Sequence, residues 1–142
     1  MAMDFFVFFN GNCREAVEFY AQVFETPAPQ FMMYGQAPPS PDDPVPEEVQ
    51  NLILYTSLPI NGSNIMFADN TPGLPFVKGN NVTLVYGSKN VEDIQTFFAR
   101  LKAGGTVHME LQTTFFSPCY GMLTDKYGLM WHFSLDSGEM GA

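Results

Sequence analysis

The sequence has few positive charges. Only six of its 142 residues are Lys or Arg, against 15 Asp or Glu, which gives a net charge of −9 at pH 7. A chain of this charge repels phosphate backbones and anionic lipid, and its basic residues form no cluster that would offset the repulsion. The composition therefore argues against nucleic acid and against membranes as partners.

Cysteine and long apolar runs are also scarce. Cys13 and Cys119 are the two cysteines, and they are too far apart in the chain for a CxxC motif, so the sequence predicts neither a disulfide framework nor a structural zinc site. The apolar N-terminal run contains Asp4, lacks a basic region and stops at Asn10, which fits neither a signal peptide nor a membrane span. We therefore expect a soluble, cytoplasmic protein.

Three motifs of nucleophilic and nucleotide chemistry are missing. The sequence has no GxSxG elbow, no GxxxxGK[ST] loop and no GxGxxG after its first apolar run. The first motif exposes a nucleophilic serine, and the other two cradle phosphates with backbone N–H groups. The serine-hydrolase class and the common nucleotide-binding folds are therefore not indicated.

What the sequence does have is an internal repeat at an offset of 78 residues. Each copy contains an apolar run, an Asn followed three residues later by a carboxylate, and apolar positions at three- and four-residue spacing, which predicts a strand and then a helix. The residues Asn12, Glu15, Ala16, Phe19, Tyr20 and Val23 correspond to Asn90, Asp93, Ile94, Phe97, Phe98 and Leu101.

The first copy begins with an aromatic run, residues 4–10, that predicts a strand buried on both faces. Asn12 and Glu15 resemble a capping box that opens a helix ending near Phe24. The strands that follow are predicted at residues 30–34, 51–60 and 64–68, with Asn61-Gly62 as a tight hairpin turn. The segment 35–48 holds five prolines and several acidic residues, and its composition predicts a loop or lid.

The second copy shows the same order of elements. Asn90 is the predicted N-cap of a helix over residues 91–103, and Gly104-Gly105 ends it. A turn at Asp125 to Gly128 joins the last two strands. Strands are predicted at residues 82–86, 106–111, 120–124 and 129–135. Both copies are therefore βαβββ modules, module one at about 1–70 and module two at about 80–137, within a single domain of residues 1–142.

Four segments carry a resemblance to a known superfamily. Residues 10–20, 62–69 and 120–131, together with Thr114-Phe115-Phe116, resemble the glyoxalase, bleomycin-resistance and extradiol-dioxygenase proteins, also called vicinal oxygen chelate proteins. Within that superfamily the chain is most similar to the PhnB-like branch, often labelled 3-demethylubiquinone-9 3-methyltransferase-like. The resemblance implies an α+β fold in which two tandem βαβββ modules surround one cavity, usually in a homodimer.

The same resemblance locates the positions at which metal-dependent relatives hold their ion. These positions fall on Phe5, on Met66, on Asn81 or Thr83, and on His132. A phenyl ring offers no lone pair and a thioether is a poor ligand for hard divalent ions, whereas a catalytic site needs about three good donors. We therefore expect no cofactor, with a divalent metal as the less favoured alternative.

The residues expected to border the implied cavity are those that the resemblance places on its strands and loops. They are Phe5, Tyr55, Met66, Thr83, Phe116, Tyr120, Met122 and His132. Of these, His132 and Tyr55 are candidate acid/base groups. The alternative is that His132 is a half-buried histidine satisfied by a nearby hydroxyl or water, and that the tyrosines are rim residues facing solvent.

Three functions remain open on the sequence alone. The favoured one is a metal-independent protein that binds a small apolar or aromatic ligand. The second is a metal-dependent or metal-free lyase, isomerase or dioxygenase acting on a small substrate. The third is an interaction module in which the acidic segment 35–48 docks a partner. A methyltransferase activity is poorly supported, because it would need a glycine-rich nucleotide-binding turn.

Overall fold

The computed structural model describes residues 3–36, 45–71 and 73–136. The chain forms two compact units, Met1–Phe76 and Val77–Ala142. Each unit contains one helix and one four-stranded mixed sheet. The α+β class and the two tandem βαβββ modules predicted from the sequence are therefore confirmed.

The first unit contains the helix α1 and the strands β1 to β4. Its sheet has the order β1-β4-β3-β2, in which β1 runs parallel to β4 and the other pairs are antiparallel. The bounds are β1 Phe5–Phe9, α1 Cys13–Phe24, β2 Met32–Met33, β3 Ile53–Ile60 and β4 Ser63–Asp69, with short 3-10 turns at Tyr34–Gln36 and Glu47–Val49.

The second unit repeats this arrangement with the helix α2 and the strands β5 to β8. Its sheet has the order β5-β8-β7-β6, and β5 runs parallel to β8. The bounds are β5 Leu84–Ser88, α2 Val91–Leu101, β6 Thr106–Gln112, β7 Tyr120–Thr124 and β8 Met130–Leu135. A parallel pair needs a crossover connection, and in each unit the helix begins that crossover.

The core of each unit lies between the helix and one face of its sheet. In the first unit Tyr20 of α1 stacks on Phe67 of β4 with ring centroids 5.8 Å apart. In the second unit Phe98 of α2 meets Phe133 of β8 edge to face at 5.5 Å. We call the opposite face of each sheet, away from the helix of its own unit, the distal face.

The prediction that the first strand is buried on both faces is wrong. Phe6 and Phe8 are 43% and 45% exposed, and Phe5 is 45% exposed, whereas Phe9 is buried at 3%. Alternation along the strand places Phe9 toward α1 and leaves Phe6 and Phe8 on the distal face. Every residue of β1 is apolar, so the sequence does not show which of its residues face α1 and which face away.

The predicted capping box at α1 is also wrong. The side chain of Asn12 makes no capping hydrogen bond. Instead the buried carboxylate of Asp69, at the end of β4, accepts the N–H of Cys13 at 2.9 Å and the N–H of Ile53 at 2.8 Å. One carboxylate from a distant strand thus holds the start of α1 and the start of β3 together.

At α2 and at the turns the local predictions are confirmed. The Oδ1 atom of Asn90 accepts the N–H groups of Glu92 and Asp93 at 2.9 and 3.3 Å. Asn61 and Gly62 have φ values of 52° and 82°, the left-handed conformations that a tight hairpin turn requires.

The carboxylate of Asp125 makes one contact that the turn sequence did not predict, a hydrogen bond to a core side chain outside the turn. The carboxylate accepts the N–H of Tyr127 at 2.8 Å and of Leu129 at 3.1 Å, and it also accepts the indole N–H of Trp131 at 2.9 Å. Trp131 is only 2% exposed, so this turn is tied directly to the core of the second unit.

Three further observations complete the fold. The strand predicted at residues 30–34 is reduced to Met32–Met33. Most of the proline-rich segment 35–48, namely residues 37–44, lies outside the described residues. Among the residues that the structure describes, no helix is long and apolar enough to cross a membrane.

We predict that Asp69→Asn destabilises the protein by about 1 to 3 kcal/mol, because the N–H groups of Cys13 and Ile53 bond different carboxylate oxygens, and in the amide one of these oxygens becomes an NH2 group that faces an N–H donor in a buried site. Urea unfolding followed by circular dichroism measures the loss. Asp4→Asn is the matched control, since it makes the same chemical change at an exposed position. Equal stability of the two variants would contradict the role assigned to Asp69.

Candidate functional site

The distal face of the second sheet brings together three of the residues that the sequence singled out, Tyr120, Met122 and His132. On β7 and β8, Met122 is paired with His132, and Tyr120 is paired with Ser134. Cross-strand partners share a face, and so do residues two apart along a strand. Tyr120, Met122 and His132 are half-buried there, between the fully buried positions Gly121, Trp131 and Phe133 that alternate with them.

His132 and Tyr120 form a hydrogen bond across this face. The bond joins the Tyr120 hydroxyl to Nδ1 of His132, and the two rings meet edge to face with centroids 5.5 Å apart. The hydroxyl partner that the alternative interpretation required for His132 is therefore present. It comes from Tyr120, a residue predicted as a ligand contact and not as a partner of His132.

Phe116 extends the site from the loop that precedes β7. Its ring contacts Tyr120 edge to face at 4.7 Å, with an interplanar angle of 80°. The loop is held by a reciprocal pair of hydrogen bonds, in which the N–H of Ser117 donates to Oγ1 of Thr114 at 3.1 Å and the N–H of Thr114 donates to the carbonyl of Ser117 at 2.8 Å.

Ser117 also ties this loop to the sheet. Ser117 is 3% exposed, and its hydroxyl donates a hydrogen bond of 2.8 Å to the carbonyl oxygen of Leu135, at the end of β8. A loop held at both its own ends and at the neighbouring strand presents its aromatic ring in a fixed position. The hydrogen bonds of Thr114 and Ser117 thus fix the backbone on both sides of Phe116.

Burial sets the protonation states at this site. Burial lowers the pKa of His132 from its ordinary value of 6.5 and raises the pKa of Tyr120 from its ordinary value of 10.0 because a charged form loses solvation there. Both side chains are therefore neutral at neutral pH. The pair can donate and accept hydrogen bonds, and it places no formal charge in the site.

The other candidate of the second unit, Thr83, lies immediately before β5. The strand pairing with β8 starts one residue later, at Leu84 and Trp131, and places Val85 beside His132. Val85 is 63% exposed and Thr83 is half-buried. The alternative position, Asn81, is exposed in the connection before the strand.

In the first unit the register corrects one candidate. Phe5 pairs with Ile65 and Phe6 pairs with Met66, so Phe5 is on the face toward α1, whereas Met66 is on the distal face. Phe6 and Phe8 occupy the place expected for Phe5, with their rings stacked at 4.7 Å. A single-residue difference in register moves a side chain to the other face of a sheet.

Tyr55 also lies on the distal face of the first unit. Its ring meets that of Phe6 edge to face at 6.2 Å, and the neighbouring pair Ser57 and Met66 shares this face. The sequence reasoning missed Phe6 and Phe8. The signal that identifies them is the position of Phe9 in the core, because a core residue at one end of a five-residue strand fixes the parity of all the others.

Neither distal face by itself offers a donor set that fits a hard divalent ion. In the first unit the strands offer Phe6 or Phe8 and the thioether of Met66, and in the second unit β8 offers the single imidazole of His132. Among residues 3–36, 45–71 and 73–136 no group of three or more His, Cys, Asp and Glu could hold a metal. That the protein works without a metal stays a prediction.

One concave surface lies outside the predicted set. It has a volume of about 430 Å³ at the C-terminal end of α1 and includes Glu18, Gln22, Glu25 and Thr26 in its lining. Its lining joins two carboxylates, an amide and a hydroxyl with the apolar side chains of Ala21, Ala28 and Pro29, and holds no aromatic ring or histidine. None of the residues that the sequence singled out as candidates lines it.

Comparison with known proteins agrees with this architecture. A family model described as 3-demethylubiquinone-9 3-methyltransferase matches residues 2–134. Protein YjdN of Escherichia coli (strain K12) is 31% identical over 138 residues, covering 92% of this chain and 92% of that protein.

Two solved structures share the fold. Protein PA1353 from Pseudomonas aeruginosa has a TM-score of 0.76 and 27% identity, covering 95% of this chain and 98% of its own. A protein from Bacillus cereus, described as a putative 3-demethylubiquinone-9 3-methyltransferase, PhnB protein, has a TM-score of 0.68 and 24% identity, covering 94% and 98%. From the family match and the relative in Escherichia coli together, the chain belongs to the 3-demethylubiquinone-9 3-methyltransferase family.

Proposed function

We propose that this chain is a metal-independent protein that binds a small, largely aromatic ligand on the distal face of its second sheet. The observation that carries the proposal is the grouping of Phe116, Tyr120, Met122 and His132 on that face. Small-molecule sites combine mainly apolar and aromatic lining with a few placed polar groups. This group has that composition.

The chemistry of each side chain supports an aromatic ligand. Phe116 is 36% exposed and offers part of its ring for stacking or edge contacts. The thioether of Met122 is flexible and polarizable, so it adapts to the edge of a ring. The neutral pair of Tyr120 and His132 supplies one polar contact that can fix the orientation of a ligand.

The family description names methyl transfer, and the structure offers little support for that chemistry. A nucleotide-type methyl donor is usually held by a glycine-rich turn and by the free N–H groups at the start of the next helix. Here the turn between β1 and α1 has one glycine, Gly11, and the first N–H of α1, that of Cys13, is already bonded to Asp69. We infer that the turn does not cradle such a donor.

A second candidate function is favoured by the hydrogen bond between Tyr120 and His132. In an enzyme, His132 would be the acid/base group and Tyr120 would orient it, because a neutral imidazole can accept a proton near neutral pH while a phenol with a raised pKa cannot. This candidate replaces the pair of His132 and Tyr55 that the sequence suggested. It predicts turnover that His132→Gln abolishes while the substrate still binds.

We predict that Phe116→Ala weakens the binding of 2-acetylnaphthalene, a neutral aromatic probe, by about tenfold, which corresponds to roughly 1.4 kcal/mol of lost ring contact. Isothermal titration calorimetry measures the affinity. Phe115→Ala is the matched control, because it removes the same ring from the neighbouring position of the same loop, where the side chain is 93% exposed. It should change the affinity by less than about twofold.

Equal losses in these two variants would show nonspecific attraction of the probe to exposed aromatic residues and would contradict the proposed site. The same conclusion follows if the wild-type protein does not bind the probe at all. Thermal unfolding of both variants establishes that any difference in affinity is not a difference in folding.

We predict that protein purified without a metal-affinity step contains less than one Zn, Ni, Mn or Fe per ten chains, because one imidazole and one thioether do not form a site for these ions. Elemental mass spectrometry of wild type and His132→Ala, side by side, measures the content. A stoichiometric metal in wild type that is lost in the variant would overturn the proposal and favour a lyase, isomerase or dioxygenase.

We infer further that the two units act as one domain and that two chains form a homodimer. The homodimer is supported by β1, which is an edge strand of its sheet. Phe6 and Phe8 on this strand are more than 40% exposed, and exposed apolar edge strands tend to pair with another chain. Sedimentation velocity should show a dimer for wild type and a shift toward monomer for Phe8→Asp. A monomeric wild type would contradict this inference.

A further inference from the structure

We propose that Tyr120 holds His132 in the tautomer that carries its proton on Nε2, and that the site thereby selects aromatic ligands that bear an oxygen acceptor. The inference rests on the proposed function and adds the class of ligand to it. It makes Tyr120 a positioning residue, which acts on the ligand through His132.

The direction of the hydrogen bond between Tyr120 and His132 decides which ring nitrogen carries the proton. The Tyr120 hydroxyl and Nδ1 of His132 share one proton between them, and either atom could be the donor. If His132 donated, the hydroxyl proton of Tyr120 would need another acceptor. Within the described residues the hydroxyl makes no other hydrogen bond. Donation from Tyr120 to Nδ1 leaves one group without a protein partner, the Nε2 N–H, whereas donation from His132 leaves two, the hydroxyl proton and the Nε2 lone pair, so the first direction is favoured.

The tautomer of His132 follows from the direction of this hydrogen bond. A neutral ring whose Nδ1 accepts a hydrogen bond carries its proton on Nε2. Among the residues that the structure describes, Nε2 of His132 has no hydrogen-bond partner. The other hydroxyl on this face of β7, that of Thr124, is hydrogen-bonded to Nε2 of His108 at 2.8 Å. His132 is therefore left with one free donor.

The free donor of His132 favours a ligand that carries a hydrogen-bond acceptor. No buried side-chain nitrogen or oxygen of the described residues lacks a partner, so the unpaired Nε2 of His132 is open to solvent and to a ligand. It lies beside Met122, and Tyr120 next to it is in contact with Phe116, so an acceptor carried on an apolar body can bond to Nε2 while the body packs on these side chains. A carbonyl, carboxylate or nitro oxygen on an aromatic ring fits. The net charge of −9 opposes anions, so a neutral carbonyl is the acceptor that we expect to be preferred.

The tautomer can be measured without any ligand. Proton-nitrogen correlation spectra recorded through the ring C–H protons distinguish the two ring nitrogens, and the chain has only two histidines. At pH 7.5 we expect His132 to show an unprotonated Nδ1 and a protonated Nε2. In Tyr120→Phe the two nitrogen shifts should move toward each other as both tautomers become populated, while the His108 signals stay in place.

Two outcomes of this experiment would overturn the inference. One is a proton on Nδ1 of His132 in wild type. The other is a set of His132 shifts that Tyr120→Phe leaves unchanged, because Tyr120 would then have no part in fixing the tautomer. His132→Gln assigns the signals, and Tyr34→Phe, which makes the same change in the first unit, controls for the loss of a phenolic hydroxyl.

Selection of the ligand is tested with a matched pair of neutral probes. 2-Acetylnaphthalene carries a carbonyl acceptor, and 2-ethylnaphthalene has nearly the same shape without it. We expect Tyr120→Phe to weaken binding of the carbonyl probe by about threefold to tenfold, the range of one neutral hydrogen bond, and to leave binding of the hydrocarbon within about twofold.

Equal effects on the two probes would overturn the selection, because they would mean that Tyr120 contributes packing and not orientation. This failure is distinct from failure of the proposed function. If the proposed function fails, neither probe depends on Phe116. If only the present inference fails, both probes bind against Phe116 and neither distinguishes Tyr120 from Phe.

Discussion

The constraint on which this structure depends is that each sheet of four strands has a single helix to cover it. In each unit the helix and one sheet face form the core, and the parallel pairing of the first and last strands fixes which residues face that helix. The distal faces are consequently built from half-exposed side chains. The proposed ligand site lies on one of these distal faces, because the face packed against a helix is not available to a ligand.

Carboxylates that join distant parts of the chain reinforce this arrangement. Asp69 links the end of β4 to the starts of α1 and β3, and Asp125 links a turn to the indole of Trp131. A buried carboxylate is tolerated because its oxygens accept two or more N–H groups. Both residues thus stabilise the scaffold. Tyr120 and His132 are positioned by the strands of the second sheet.

The site differs chemically from a metal centre or a charged active site. Its polar pair is neutral, its neighbours are a thioether and a phenyl ring, and its strongest directional contact is the hydrogen bond between Tyr120 and His132. The ligand that we propose for this site would be recognised by its shape and by a single oriented hydrogen bond. Membership of a family with a methyltransferase name does not by itself assign chemistry to these residues.

The sequence by itself determined the two modules, the helix capped by Asn90, the turn at Asn61-Gly62 and the place of His132 between two buried neighbours, because each depends on local spacing or on the conformational preference of one or two residues. Only the tertiary structure decided that Asp69 caps α1, that Phe6 and not Phe5 lies beside Met66, and that Tyr120 is the partner of His132. Those facts join residues far apart in the chain or depend on strand parity, which an unbroken run of Phe and Val does not reveal.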